Sequence, residues 1–209
     1  MSSASKLADV ATYYTEKLTA HGQTARGVDW NGEESQNLRF TQLCKIIDPE
    51  LKDFSINDLG CGYAALVDFL VQRHPHFSYN GFDVSQAMLD AAMERHKGKP
   101  TIRFGLADKP DAVADYGIAS GIFNVRLKQT DAEWLQHFEA TLDELNRTSR
   151  RGFAFNALTS YSDADKMREN LYYASPATIF DICKKRYSRN VALLHDYDLY
   201  EFTILVRKA

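Results

Sequence analysis

The residues able to do chemistry in this chain cluster first around a short turn. A short apolar run (Phe54, Ile56, Leu59) meets an acid, Asp58, and Gly60, Cys61 and Gly62 follow. Small residues at such a turn let backbone approach a ligand closely, because no Cβ stands in the way. The amides at the start of a following helix are free donors. A second acid, Asp83, lies about twenty residues further on, before Val84. A carboxylate there can accept hydrogen bonds from both hydroxyls of a ribose. Together these residues describe a cradle for a nucleotide-like ligand.

The elements that must position them alternate. A strand over Phe54 to Leu59 feeds a helix from about Ala64 to Arg73. A second strand covers Tyr79 to Val84, and Ser85 is the predicted N-cap of a helix carrying Met88, Leu89 and Ala92. Strands over Ile102 to Leu106 and Tyr116 to Phe123 follow, then a capping box at Thr130 and Glu133. That helix carries Trp134, Phe138, Leu142 and Leu145 on one stripe. A fifth strand spans Gly152 to Leu158, and a polar stretch over Thr159 to Ala174 precedes a helix opened by Ser175-Pro176. Val191 to His195 and Phe202 to Val206 are close enough to pair antiparallel. The expected fold is α/β, a doubly wound and mostly parallel seven-stranded sheet with its last strand antiparallel. Ahead of it, Leu7, Val10, Ala11, Tyr14 and Leu18 share one helical face, and a loop from Gln23 to Glu34 leads to a second helix that Asp48-Pro49 stops.

The chain's 209 residues suit one domain with a sizeable core. Hydrophobic content of 44% argues against disorder, and a net charge of -3 gives no general attraction to nucleic acid or anionic membrane. Three widely spaced cysteines without a C-x-x-C pair speak against a disulfide framework and against a metal site. With no apolar stretch resembling a signal or a membrane span, a soluble cytoplasmic protein is expected.

Gly60, Gly62 and Ala65 also satisfy the loose dinucleotide pattern G-x-G-x-x-G/A. Yet Asp58-Leu59-Gly60-Cys61-Gly62 after a strand, with Asp83 ending the next, resembles motif I of the class I S-adenosylmethionine (SAM) dependent methyltransferases. One departure is Ala64, where that family often has a third glycine. The resemblance covers roughly residues 54 to 209, and it makes residues 1–50 a helical cap over the active site of a core at 51–209. It implies that Asp58, Gly60, Cys61 and Gly62 face the methionine part of SAM, with the acid near its ammonium. It implies that Asp83 and Val84 hold the ribose, that Asp108 and the Ala107 amide meet the adenine, and that Ser120 to Asn124 line the methyl-transfer region.

The acceptor side is read from position alone. Asn124, His195 after the sixth strand and Tyr161 after the fifth are the catalytic candidates. Tyr13, Trp30, Arg126, Tyr172 and Tyr173 are the candidates for holding substrate, and Arg39 joins Arg126 as a possible partner for an acidic group. Tyr14 sits on the apolar stripe and reads as packing, whereas Tyr13 is off it. The expected activity is methyl transfer from SAM to an oxygen or nitrogen atom of a small molecule, with neither nucleic acid nor membrane as partner. The oligomeric state is left open. An NAD-dependent oxidoreductase and a non-catalytic SAM-binding subunit are the alternatives.

Overall fold

A computed structural model describes residues 3–208, with side chains from residue 7. Its sheet has seven strands in the order β3-β2-β1-β4-β5-β7-β6: β1 Phe54–Leu59, β2 Phe77–Asp83, β3 Ile102–Leu106, β4 Ala114–Ala119, β5 Ser149–Leu158, β6 Asn190–Leu194 and β7 Glu201–Arg207. The first five pair in parallel, and β7 runs antiparallel to both β5 and β6.

Alternation along the strands sorts the side chains onto two faces. Ile56, Ile118, Ala154 and Leu205 join one core cluster. That cluster is covered by α2 (Glu33–Leu43), α3 (Ala65–Val71) and α4 (Gln86–Arg95). Their neighbours Leu59, Ala119, Phe153, Phe155 and Ile204 point the other way, against α5 (Asp131–Thr148) and α6 (Pro176–Arg186). Both faces are therefore buried, as a doubly wound sheet requires. The chain reverses direction across the sheet between β1 and β4, and their carboxyl ends open a crevice there.

Of the boundaries that differ from the sequence reading, two bear on how the elements are used. The fourth strand stops at Ala119, not at Phe123. Gly121 turns the chain with φ 78°, so Ile122 and Phe123 leave the sheet although they are apolar. The second helix ends at Leu43, and a 3-10 turn over Cys44–Ile46 completes it. Phe40, Leu43, Ile46 and Ile47 belong to the sheet's core, so α2 is built into the fold. The first helix, α1 (Ser3–His21), lies instead across the carboxyl ends of the strands. Thr15 Oγ1 is 2.9 Å from Ser85 Oγ, and Lys17 pairs with Asp29 at 2.7 Å.

Among the described residues no helix is long and apolar enough to cross a membrane. Cys44, Cys61 and Cys183 are free thiols.

Candidate functional site

The turn after β1 is fixed by its neighbour strand. The amides of Gly60 and Cys61 both donate to the Phe82 carbonyl, at 2.7 and 3.0 Å. Gly60 has φ 74°, and a Cβ there would lie 2.1 Å from Ile122 Cγ2. Only glycine fits. Asp83, at the end of β2, accepts from the Gly62 amide at 2.9 Å and from the Ser85 amide at 2.8 Å. One carboxylate thus ties the glycine turn to the start of α4. Burial raises its pKa, and these backbone donors oppose that shift.

Ala64 occupies the left-handed region (φ 59°, ψ 42°) at the N-cap of α3, with its methyl fully buried. That conformation favours glycine by about 1 kcal/mol or more. The position therefore needs the geometry that a glycine supplies cheaply, and this chain holds it with alanine. His96 Nε2, 3.0 Å from the Ala64 carbonyl, pins the strained residue.

Above this turn lies a first cavity of about 100 Å³. Gly60, Gly62, Asp83, Val84, Asp108 and Ser120 line it from the sheet side. Leu7, Val10 and Tyr14 of α1 close it from above, with Val28 and Trp30 from the following loop. Trp134, His137 and Thr141 of α5 form a further wall. Ala107 lines it too, but its amide donates to the Asp83 carbonyl at 3.0 Å, so it contributes surface and no free donor. Beneath sits a small void of about 40 Å³ that touches Asp58, Cys61 and Ser120. Asp58 is 3% exposed and accepts from the Tyr79 hydroxyl at 2.5 Å. Burial outweighs that bond and pushes its pKa up to about 7. Burial also raises the Cys61 thiol well above its ordinary value, so it stays protonated.

A second cavity of about 380 Å³ adjoins the first, over the ends of β4, β5 and β7. Tyr14, Val28 and Trp30 line both. Arg39, Asn124, Arg168, Tyr173, Tyr200 and Glu201 are among the remaining walls. Asn124 Oδ1 accepts from the Leu158 amide at 3.1 Å, which fastens the loop after β4 to the end of β5.

Five residues singled out for the acceptor side line neither cavity. Tyr13 is turned away, and its hydroxyl donates to Asp29 at 2.6 Å. Tyr172 is drawn into the core beside Phe138. Tyr161 is 72% exposed, and His195 packs near it at the sheet edge. Arg126 binds the Leu171 carbonyl and pairs with Asp131, so it staples two loops. Tyr14, read as packing from its helical stripe, lines both cavities, and Tyr13, read as free to reach a ligand, lines neither; the apolar face of α1 covers the first cavity with Leu7, Val10 and Tyr14 while Val10 also packs against the core. Tyr13→Phe should lower the melting temperature slightly, by the loss of about 1 kcal/mol for one hydrogen bond, and leave turnover unchanged. A thermal melt with a kinetic assay checks both.

Comparison with known proteins bears on the family and the fold. A model of the methyltransferase domain matches residues 56–152. Rv1506c of Mycobacterium tuberculosis, a protein named as a methyltransferase, is 64% identical over 156 residues, which is 75% of this chain and 94% of that one. Among solved structures, the complex of DhpI with S-adenosylhomocysteine superposes with a TM-score of 0.70 at 14% identity, over 100% of this chain and 99% of that one. The N-methyltransferase NodS of Bradyrhizobium japonicum, also bound to S-adenosylhomocysteine, gives 0.68 at 15% identity, over 95% and 97%. These structural likenesses are likenesses of fold.

Proposed function

The chain belongs to the class I SAM-dependent methyltransferases, and on that premise we propose that it methylates an oxygen or nitrogen atom of a small molecule held in the second cavity. Its cofactor is SAM. The single observation that carries the proposal is the pair of adjoining cavities sharing Tyr14, Val28 and Trp30. A methyl transfer needs donor and acceptor on one line, in a space from which water is excluded.

The residues of the first cavity fit the cofactor. Gly60 and Gly62 leave the room that a Cβ would fill. Ser120 Oγ is buried without a hydrogen-bond partner among the described residues, a polar atom that a bound group satisfies. Asp83 retains lone pairs for ribose hydroxyls beyond its two backbone donors. Asp58 is the acid for the ammonium, and Asp108 faces the cavity from the end of β3. When bound, SAM supplies a methyl group on a sulfonium, already activated for displacement.

The chain's own work is then to align and to dehydrate. Tyr14 supports the acceptor at the junction. Its hydroxyl makes no hydrogen bond among the described residues, and burial raises its pKa, so it is a neutral donor. Tyr173 accepts from the Arg168 amide at 2.9 Å and sits in the same wall as Asn124. The cavity's mixture of aromatic faces and polar tips suits a small molecule better than a polymer.

Tyr14→Phe and Arg168→Ala are expected to keep affinity for S-adenosylhomocysteine within threefold, by calorimetry. At least one should lower kcat/KM tenfold or more on an acceptor found by screening small alcohols and amines for S-adenosylhomocysteine release. Wild-type kinetics in both variants moves the acceptor out of the second cavity.

We also propose that α1 is a lid. It closes the first cavity with Leu7, Val10 and Tyr14, and few polar ties hold it down. Hydrogen exchange over α1 should be fast in the free protein and at least tenfold slower with S-adenosylhomocysteine. Equal protection in both states makes α1 a fixed layer.

A further inference from the structure

Five residues from distant parts of the chain form a closed ring between the two cavities. The Arg39 guanidinium stacks over the Trp30 ring, 3.8 Å from its centroid. The far edge of Trp30 lies against Gly121, where a Cβ would come within 2.5 Å of it. The Gly121 amide donates to Asn156 Oδ1 at 2.7 Å, and Asn156 Nδ2 donates to Glu201 Oε2 at 2.7 Å. Glu201 closes the circuit by accepting from Arg39 Nε at 2.9 Å with both oxygens. Arg39, Asn156 and Glu201 are 5%, 0% and 1% exposed.

A buried ion pair is a poor way to stabilise a fold, because desolvation cancels much of the attraction. What it does provide is direction. Arginine's planar fork fixes the guanidinium, and the guanidinium fixes the indole that stacks on it. The indole shares the wall common to both cavities with Tyr14 and Val28, and Arg39 and Glu201 themselves line the second. We propose that Arg39 and Glu201 are positioning residues for methyl transfer, holding Trp30 as the partition that sets how the acceptor approaches the cofactor. The proposal rests on the two-cavity reading above.

The test uses Trp30 as its own reporter. The chain has two tryptophans, and Trp134 lines the first cavity as well, so the wild-type protein is kept as the parent and Trp134 emission, read from a Trp30→Phe control, is subtracted. Arg39→Lys keeps the charge but loses the fork and the stack. Arg39→Met with Glu201→Gln removes both charges together and leaves no ion buried alone. The expected result is at least a threefold rise in acrylamide quenching of Trp30 in both variants. The change in Trp30 emission on adding S-adenosylhomocysteine should fall to less than a third, while calorimetry gives affinity within threefold and circular dichroism keeps the native spectrum. Trp30 quenching equal to the parent in both variants overturns the proposal. So does loss of the Trp30 response only alongside loss of the melting transition, since the pair is then structural alone. Absence of S-adenosylhomocysteine binding in the parent itself would count against the two-cavity reading and not against the ring alone.

Discussion

Asp83→Ala is expected to weaken S-adenosylhomocysteine binding by about 3 kcal/mol, on the order of a hundredfold or more. The carboxylate holds the Gly62 and Ser85 amides at 2.9 and 2.8 Å, so its loss frees the glycine turn and the start of α4 together. It also removes the proposed acceptor for the ribose hydroxyls. Hydrogen bonds to a charged group contribute about 1.5–3 kcal/mol each, and their effects on a shared turn are not additive. Asp83→Asn keeps one acceptor oxygen and should recover part of the affinity. Calorimetry decides, with circular dichroism as the control for folding. An affinity within threefold of wild type, in a folded variant, would show that Asp83 does not carry the cofactor.

Asp58→Asn should move stability and binding in opposite directions. The pKa of Asp58 is raised to about 7 in the native protein, chiefly by burial. The native state therefore holds this proton more tightly than the unfolded chain does. Its contribution to stability is fully present below the ordinary carboxylate pKa, falls as pH rises toward about 7, and is level above that. At pH 8 the ionised carboxylate destabilises the free protein, and asparagine relieves that by roughly 2–4 kcal/mol, a rise in melting temperature. A bound ammonium favours the ionised form, so the variant should bind SAM about tenfold or more weakly at pH 8. Wild-type affinity should fall as pH drops below about 7, and the variant's should not. Parallel pH slopes for both proteins would remove Asp58 from the cofactor's ammonium.

The cradle was legible in the sequence because its parts are local. Asp58 to Gly62 form one turn, and Asp83 is one βα unit away, so strand-and-helix periodicity places them together. The acceptor side was not, because it is assembled by tertiary packing. Leu7, Val10 and Tyr14 carry the stripe of a helix on a core, and the same stripe serves a helix over a cavity. Tyr172 and Tyr173 are adjacent in an extended stretch, so one must enter the core and the other the cavity. Sequence does not say which. Trp134 and His137 lie on the inner face of α5, where an aromatic stripe reads as packing, and its first turns reach past the sheet to the first cavity. Glu201 was invisible for a different reason. An acid opening the last strand looks solvated until Arg39 and Asn156 are seen to surround it.

That partnership also dictates the order in which the molecule is built. Arg39 and Glu201 are separated by 162 residues, so the pair closes one of the longest loops in the chain. Loop closure of that span is slow, and contacts of low sequence separation form first. The cradle after β1 needs only β2 and the turn between them, and it can take shape while the C-terminal strands are still unpaired. The second cavity cannot. Its floor is complete only once β7 has slotted between β5 and β6, and until then Arg39 lacks the Glu201 carboxylate that fixes its guanidinium over Trp30. The topology therefore favours early formation of the turn after β1 and late completion of the second cavity.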